Sequence, residues 1–102
     1  MAYNINIVVL SGEITWVKLK YTSAKKIFAS FAVKQPLLVT EGGVVVIKDY
    51  NYFFCSCFEE SLYSSGYLKE GVQATVQGKL SPYKTDKGNF SVSIIVERID
   101  FH

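Results

Sequence analysis

The residues of this sequence that could take part in binding are aromatic side chains that alternate along one short segment. The segment from Tyr50 to Phe58 carries Tyr52, Phe54 and Phe58 at even positions, and its odd positions carry Phe53 and both cysteines of the chain. Successive side chains of a strand point to opposite faces, so the even-numbered rings share one face. Small thiols beside Phe53 suit a core, which leaves the other face open. Three rings on an open face could stack against planar ligands.

Lysines accompany these rings and could neutralise bound phosphates. Stacking platforms combined with a positively charged groove are typical of proteins that bind single-stranded nucleic acid. A lone surface lysine is more often simply solvated, so clustering on one face decides between the two interpretations. Trp16 could also stack on a base, or it could anchor packing at a strand bend. The other candidates are Lys20, Lys34 and Lys48 on the first three predicted strands, and Lys79, Tyr83, Lys84 and Lys87 around a predicted loop.

The sequence offers no set of residues for catalysis or metal binding. The one histidine is His102, so no Ser-His-Asp or Cys-His set can form within a structured pocket. Glu59 and Glu60 open a predicted helix, where their charges favour the helix dipole. Structural zinc requires four ligands, and we expect Cys55 and Cys57 to be buried free thiols. The sequence therefore predicts a protein that is not an enzyme and holds no metal or cofactor.

The composition is that of one folded globular domain spanning residues 1–102. Of the 102 residues, 49% are hydrophobic and 20% are charged, which excludes the disordered class. The net charge of +2 permits nucleic-acid binding without requiring it. The sequence shows no signal peptide and no apolar stretch long enough to span a bilayer, so we expect a cytoplasmic protein without membrane association.

Period-two alternation of β-branched and aromatic residues predicts five strands. A glycine within such a run indicates a bulge or bend, which we expect at Gly12 and Gly78. Pro36 is predicted to end the second strand, and a β-hairpin with its turn at Gly42-Gly43 follows. A short helix is predicted within residues 59–68. The predicted strands are Asn4 to Lys20, Lys26 to Gln35, Tyr50 to Phe58, Val72 to Tyr83 and Asn89 to Phe101.

This order of elements is that of an OB-fold. Three strands, a short helix and two further strands form a five-stranded Greek-key barrel, whose second and third strands provide the usual oligonucleotide face. We therefore predict an all-β OB-fold barrel with the short helix between strands three and four. The hairpin is predicted to extend the connection between strands two and three.

The segment Gly66 to Leu80 resembles the entry to the fourth strand of bacterial single-stranded DNA-binding proteins. It contains Tyr67-Leu68-Lys69-Glu70-Gly71 and Gln77-Gly78-Lys79-Leu80, with a short predicted strand between them. The opening Ser11-Gly12-Glu13-Ile14 and the closing Val96 to Phe101 are similar to the same family. The resemblance implies an OB-fold that binds single-stranded DNA as a homo-oligomer, in replication, recombination or repair.

The chain also departs from that family at its binding face and its end. The resemblance implies that Tyr52 and Phe58 stack on bases, but the family's tryptophans are not reproduced. The sequence ends at His102, directly after the predicted barrel, so we expect no flexible tail with the acidic tip of that family. These departures suit a tail-less paralogue, a phage or mobile-element version, or a primosomal replication protein. The main family implies a tetramer and the primosomal branch a dimer, which a first-strand edge at Tyr3-Asn4-Ile5 could form.

Two functions from different classes fit these residues. The first is sequence-tolerant binding of single-stranded DNA, by stacking on Tyr52, Phe54 and Phe58 while lysines neutralise phosphates. RNA is an alternative ligand, and replication or recombination proteins are further expected partners. The second is an OB-fold protein-interaction module whose aromatic face is a subunit or partner interface. Lysines around that face would favour nucleic acid, whereas an apolar patch with a neutral rim would favour a protein.

Overall fold

The computed structural model describes residues 4–64 and 66–102, which form a closed five-stranded barrel. The elements are β1 (Val8–Tyr21), β2 (Ile27–Glu41), β3 (Val44–Cys57), α1 (Glu60–Tyr63), β4 (Gln73–Lys84) and β5 (Phe90–Phe101). Around the barrel the strands follow the order β1-β2-β3-β5-β4, and β1 closes the barrel against β4. The contact between β3 and β5 is parallel, and the other ladders are antiparallel. The predicted OB-fold barrel is confirmed.

The core is formed by the inward-facing residues of the strands. Alternation places Ile14 of β1, Phe31 and Val33 of β2 and Val76 of β4 inside the barrel, where each is at most 1% exposed. Full burial of a side chain of this size contributes about 1.5–3 kcal/mol to folding. A register slip of one residue would expose such a set to water, so the core determines which face of each strand points outward.

β2 and β3 continue past the barrel as the predicted hairpin. Gly42 and Gly43 form its two-residue turn, with φ values of 58° and 81°. A turn with two positive φ values matches the right-handed twist of the strands it joins, and glycine adopts such values at no steric cost. The predicted hairpin and its glycine turn are confirmed.

The prediction that Pro36 ends the second strand is wrong. Pro36 lies within β2 opposite Tyr50 of β3, and the strand continues to Glu41. The ladder between β1 and β2 stops at Lys34, so the far side of β2 is an open edge at Pro36. An edge strand tolerates proline because no second neighbour requires its missing N–H. The third strand accordingly begins at Val44, earlier than predicted.

The first strand begins later than its sequence pattern indicates. Residues Asn4 to Ile7 are not part of β1, and the predicted edge residue Tyr3 lies outside the described residues. The side-chain amide of Asn6 instead pairs with the backbone of Leu80. Its Nδ2 donates to the Leu80 carbonyl at 2.8 Å, and its Oδ1 accepts from the Leu80 N–H at 2.9 Å. The Asn6 side chain therefore makes the two hydrogen bonds to Leu80 of β4 that the backbone of a neighbouring strand would otherwise make.

The irregularity of β1 lies at Trp16, and the bend predicted at Gly12 is wrong. The pairing of β1 with β2 shifts between Thr15 and Lys18, and Trp16 has a φ of 55°, in the left-handed region. Gly12 keeps a regular register, and a Cβ there would come within 2.5 Å of the Lys34 carbonyl oxygen. Gly12 therefore permits the close approach of β2, whereas the extra residue of the bulge is accommodated at Trp16.

Two further predictions concern the connection after β3 and the glycine of β4. α1 spans Glu60–Tyr63, so the helix predicted within residues 59–68 is present at a shorter length. The register of β4 with β5 shifts between Gln77 and Gly78, which confirms the predicted irregularity there.

Within residues 4–64 and 66–102, no helix has the length and apolar character needed to cross a membrane.

Candidate functional site

The outward surface of β2 and β3, here called the outer face, carries the predicted aromatic residues of β3. Tyr52, Phe54 and Phe58 are between 38 and 53% exposed, whereas Cys55 and Cys57 point into the barrel and are buried. The register between β2 and β3 determines which side chains of β2 lie next to these rings. The outer face is therefore an open surface with several large rings, which is unusual for a protein that stays free in solution.

Three rings on the outer face form one stack, here called the tryptophan cluster. The ring centres of Trp16 and Tyr52 are 4.4 Å apart and their planes differ by 17°. The ring centres of Trp16 and Phe54 are 5.9 Å apart, with planes differing by 22°. Because Trp16 occupies the bulge of β1, the bulge brings a ring from β1 onto the aromatic residues of β3. Ring contacts of this kind contribute about 0.5–1.5 kcal/mol beyond the area they bury.

A second aromatic contact, the phenylalanine pair, lies farther along the same face. The ring centres of Phe28 on β2 and Phe58, the residue that follows β3, are 4.9 Å apart, and their planes differ by 26°. Phe28 is not among the binding residues predicted from the sequence. Its period-two relation to Ser30 placed it on the outward face of β2, but only the register of β2 with β3 shows that it meets Phe58.

A groove runs along the outer face between these aromatic residues. One part has a volume of about 360 Å³ and the next part a volume of about 460 Å³. Both parts are lined by Lys20, Ser30 and Phe54, so they form one continuous depression, here called the outer groove. Trp16 and Lys18 line the first part, and Phe28, Ser56, Ser81, Tyr83 and Ser93 line the second.

Two lysines of β1 supply positive charge to the outer groove. Lys20 was predicted, and Lys18 was not, although it shares a strand face with Lys20 by period-two alternation. Lys18 pairs with Ser30 and Lys20 pairs with Phe28 across the β1–β2 ladder. The groove therefore has cations along the edge nearest β1 and aromatic rings within reach of them.

Tyr83 reaches the outer groove from the opposite side. It lies on β4 near the arm formed by the ends of β4 and β5, and it lines the same part of the groove as Phe54. The predicted Lys84 and Lys87 lie farther out, at the end of β4 and in the turn that follows, and both are exposed. The structure thus brings Tyr83 next to Phe54 in the outer groove, whereas Lys84 and Lys87 do not line the groove.

The remaining predicted lysines have other surroundings. Lys34 places its Nζ 4.2 Å from the centre of the Tyr50 ring, in a cation–π contact on the outer face. Lys79 forms a surface ion pair with Glu97, with 3.7 Å between Nζ and Oε1. Lys48 lies where the β2–β3 register shifts, at the base of the hairpin. Of the lysines, Lys18 and Lys20 therefore cluster beside the aromatic rings of the outer groove, whereas Lys34, Lys48 and Lys79 do not line it.

The two cysteines are buried free thiols, as predicted. Burial, together with a smaller effect of the nearby Cys57, raises the pKa of the Cys55 thiol from 9.0 to about 12. Burial also raises the pKa of Cys57. Among the residues that the structure describes, no three His, Cys, Asp or Glu side chains come together in a way that could hold a metal ion.

Thiol modification of the folded protein should be slow at pH 8. Only the thiolate reacts, and a pKa of about 12 instead of 9.0 leaves about 10³-fold less thiolate on Cys55. We expect a disulfide reagent such as DTNB to label the native protein slowly and the urea-unfolded protein rapidly. Rapid labelling of the native protein, with no change in its circular dichroism, would contradict the burial of these thiols.

The barrel is similar to several solved structures, although no similarity was found in sequence. No family model matches the chain, and no curated protein matches it in sequence. A structure described as Plasmodium falciparum SSB in complex with ssDNA superposes with a TM-score of 0.77 at 15% identity, covering 100% of this chain and 98% of that one. Two crystal forms of Rim1, a mitochondrial single-stranded DNA-binding protein of S. cerevisiae, each give a TM-score of 0.72. Their identities are 11 and 13%, and they cover 97 and 96% of this chain and 95 and 96% of their own. This chain therefore shares its OB-fold with these proteins, as its sequence pattern predicted.

Proposed function

We propose that this protein binds single-stranded DNA in the outer groove, with little preference for sequence. The observation that carries the proposal is a single groove lined by Trp16 and Phe54 of the tryptophan cluster, by Phe28 of the phenylalanine pair, and by the cations Lys18 and Lys20. Every base has a flat face that can stack on an aromatic ring, and every nucleotide has a phosphate that a lysine can neutralise. The similarity in fold to an SSB solved with ssDNA supports the same function.

The exposed rings favour a single strand over a duplex. In a duplex the faces of the bases are covered by their neighbours, so an aromatic side chain cannot stack on them without paying the cost of unstacking. In a single strand these faces are free, and stacking depends little on which base is present. Binding of this kind would serve replication, recombination or repair, where single strands are exposed.

The chemistry of the described residues supports binding rather than catalysis. His102 contacts Thr75, with 2.7 Å between Nε2 and Oγ1, and Thr75 contacts Ser11 at 2.6 Å between the hydroxyl oxygens. This chain of hydroxyls contains no carboxylate that could orient the imidazole as a general base. It lies on the β1–β4 side of the barrel and is not among the residues that line the outer groove.

Titration of a labelled oligo-dT strand, followed by fluorescence anisotropy at several salt concentrations, tests the proposal. We expect micromolar or tighter binding that weakens with salt and resists competition by duplex DNA. Each phosphate contact contributes about −0.7 to the slope of log K against log salt for single strands. Lys18→Ala and Lys20→Ala together should therefore make the slope less steep by about 1.4.

Lys79→Ala is the matched control for these lysines. Lys79 was a sequence candidate, but in the structure it is paired with Glu97 and does not line the outer groove. Its replacement should leave the salt slope unchanged. No binding of oligo-dT even at low salt would contradict the proposed function, and the outer face would then be better explained as a protein interface.

We also propose that the protein is a homo-oligomer that uses the β2–β3 hairpin as a subunit contact. Leu38, Val45 and Ile47 share one face of the hairpin and are 55 to 62% exposed. A two-stranded ribbon is marginally stable alone, and contiguous exposed apolar side chains mark association surfaces. Sedimentation equilibrium should give two or four times the chain mass of 11.5 kDa, and Val45→Asp should lower it. A monomeric wild-type protein at micromolar concentration would rule this assembly out.

A further inference from the structure

Four serines form a continuous row across the floor of the outer groove. Ser30 of β2 lies opposite Ser56 of β3, and Ser81 of β4 lies opposite Ser93 of β5. The hydroxyl oxygens of Ser56 and Ser93 are 3.4 Å apart and join the two pairs. The row therefore crosses β2, β3, β5 and β4 in their order around the barrel, and all four side chains line the same part of the groove.

These hydroxyls have hydrogen-bonding capacity that the protein does not use. The Ser56–Ser93 contact and the bond that Ser93 donates to the Phe54 carbonyl are both 3.4 Å long, whereas hydroxyl bonds are usually about 2.7–2.8 Å. Within residues 4–64 and 66–102, the side chains of Ser30 and Ser81 make no hydrogen bond. Each of the four is half-buried and lines the groove, so its remaining donor and acceptor groups are accessible to a ligand that enters the groove.

The serine row lies between the two aromatic groups. Ser56 is two residues from Phe54 of the tryptophan cluster, on the same face of β3, and two residues from Phe58 of the phenylalanine pair, which directly follows β3. At about 3.3 Å per residue, each ring lies roughly 7 Å along the strand from the serine. This part of the groove has a volume of about 460 Å³, within the range of about 300–1,000 Å³ for small-ligand sites. The four hydroxyls lie within a lining that is otherwise largely apolar, with Phe28, Phe54, Tyr83 and Ile95 around them.

We infer that this part of the outer groove is a subsite for the edge of one nucleobase, held between the two stacking positions and hydrogen-bonded by the serine row. The inference rests on the proposed function and assigns a role to residues that stacking does not require. A hydroxyl can donate or accept according to how it rotates. The four bases present different patterns of donors and acceptors at their edges, and a floor of rotating hydroxyls can satisfy each of them. The row therefore strengthens binding while keeping it tolerant of sequence.

A cycle of two protein forms and two strands tests the inference. The protein forms are the wild type and the double variant Ser56→Ala with Ser93→Ala. The strands are oligo-dT and a strand of the same length with difluorotoluene in place of thymine, which keeps the shape of the ring but has very weak hydrogen-bonding groups. We expect the wild type to bind oligo-dT about tenfold more tightly than the difluorotoluene strand, from the usual size of hydrogen-bond contributions. The double variant, which retains Ser30 and Ser81, should discriminate between the two strands less strongly than the wild type does.

The control and the contrary results distinguish this inference from the proposed function. Ser91→Ala removes a half-buried serine of β5 outside the row and should bind both strands as the wild type does. If the wild type and the double variant discriminate equally between the two strands, the base-edge subsite is wrong while single-strand binding stands. If the wild type does not bind oligo-dT at all, both the proposed function and the subsite are overturned. Urea unfolding midpoints of the variants verify that each remains folded.

Discussion

Phe54→Ala and Phe58→Ala are each expected to weaken the binding of oligo-dT about 30-fold, and together about 10³-fold. Phe54 lines the outer groove, and Phe58 stacks on Phe28, which lines it, so each replacement alters one stacking position. Stacking of a base on an aromatic side chain contributes roughly 1–3 kcal/mol, and about 2 kcal/mol corresponds to 30-fold. The effects should be nearly additive because the two rings do not contact each other. Fluorescence anisotropy at a fixed salt concentration measures both single variants and the double variant.

Tyr67→Ala is the matched control for these aromatic replacements. The Tyr67 ring is exposed and lies against Phe101, with 5.7 Å between ring centres, outside the residues that line the outer groove. Its replacement should leave the affinity unchanged. If Tyr67→Ala and Phe54→Ala weakened binding equally, the outer face would not be the site of stacking.

The intrinsic fluorescence of Trp16 gives a second measurement of the same site. Trp16 is the single tryptophan of the chain, and its ring stacks on Tyr52 within the tryptophan cluster. A base that stacks in this cluster should quench its emission in proportion to the bound fraction. Quenching should persist in Phe58→Ala at saturating oligo-dT, because that replacement removes the other stacking position. Saturated binding with no change in Trp16 emission would place the bound strand elsewhere.

Gly78→Ala is expected to cost about 3 kcal/mol of unfolding free energy, or more. Gly78 is buried in the wall of the barrel, at the register shift of β4 against β5. A Cβ at this position would overlap the backbone carbonyl of Ile95, and a backbone group in a closed barrel cannot rotate away as a side chain can. Overpacking of this kind typically costs about 1–3 kcal/mol and sometimes more. Urea unfolding followed by circular dichroism measures the loss.

Gly71→Ala separates the steric effect from the effect of backbone conformation. Gly71 has a φ of 89°, and no atom lies within 4 Å of the position that its Cβ would take. Alanine there should cost only the conformational penalty, about 1–2 kcal/mol. Equal losses for Gly71→Ala and Gly78→Ala would show that close approach of β5 is not what requires glycine at position 78.

The sequence alone determined those features that depend on neighbours along the chain. Alternation in β3 predicted that Tyr52 and Phe54 point outward while Cys55 points into the core, because a strand turns successive side chains to opposite faces. The Gly42-Gly43 turn was predictable because few residues other than glycine accept two positive φ values in succession. These are local constraints, and their outcome does not depend on how the barrel closes.

The contents of the site depended on pairs of residues that are distant in the sequence. The contact of Trp16 with Tyr52 requires a bulge whose position the sequence pattern placed at Gly12 instead. Lys79 was a predicted phosphate contact like Lys20, but in the structure it forms an ion pair with Glu97. The local sequence around these two lysines did not predict this difference. Local preference predicts where a strand can bend, but packing against the neighbouring strand selects one position.

The serine row shows most clearly what only the tertiary structure decided. Ser30, Ser56, Ser81 and Ser93 have no common motif and no regular spacing in the chain. They become neighbours because the registers of the β2–β3 and β4–β5 ladders, together with the parallel contact of β3 with β5, align them across four strands. Alternation constrains the face of each serine, but register and closure are set by the packing of the whole core, which no single segment encodes.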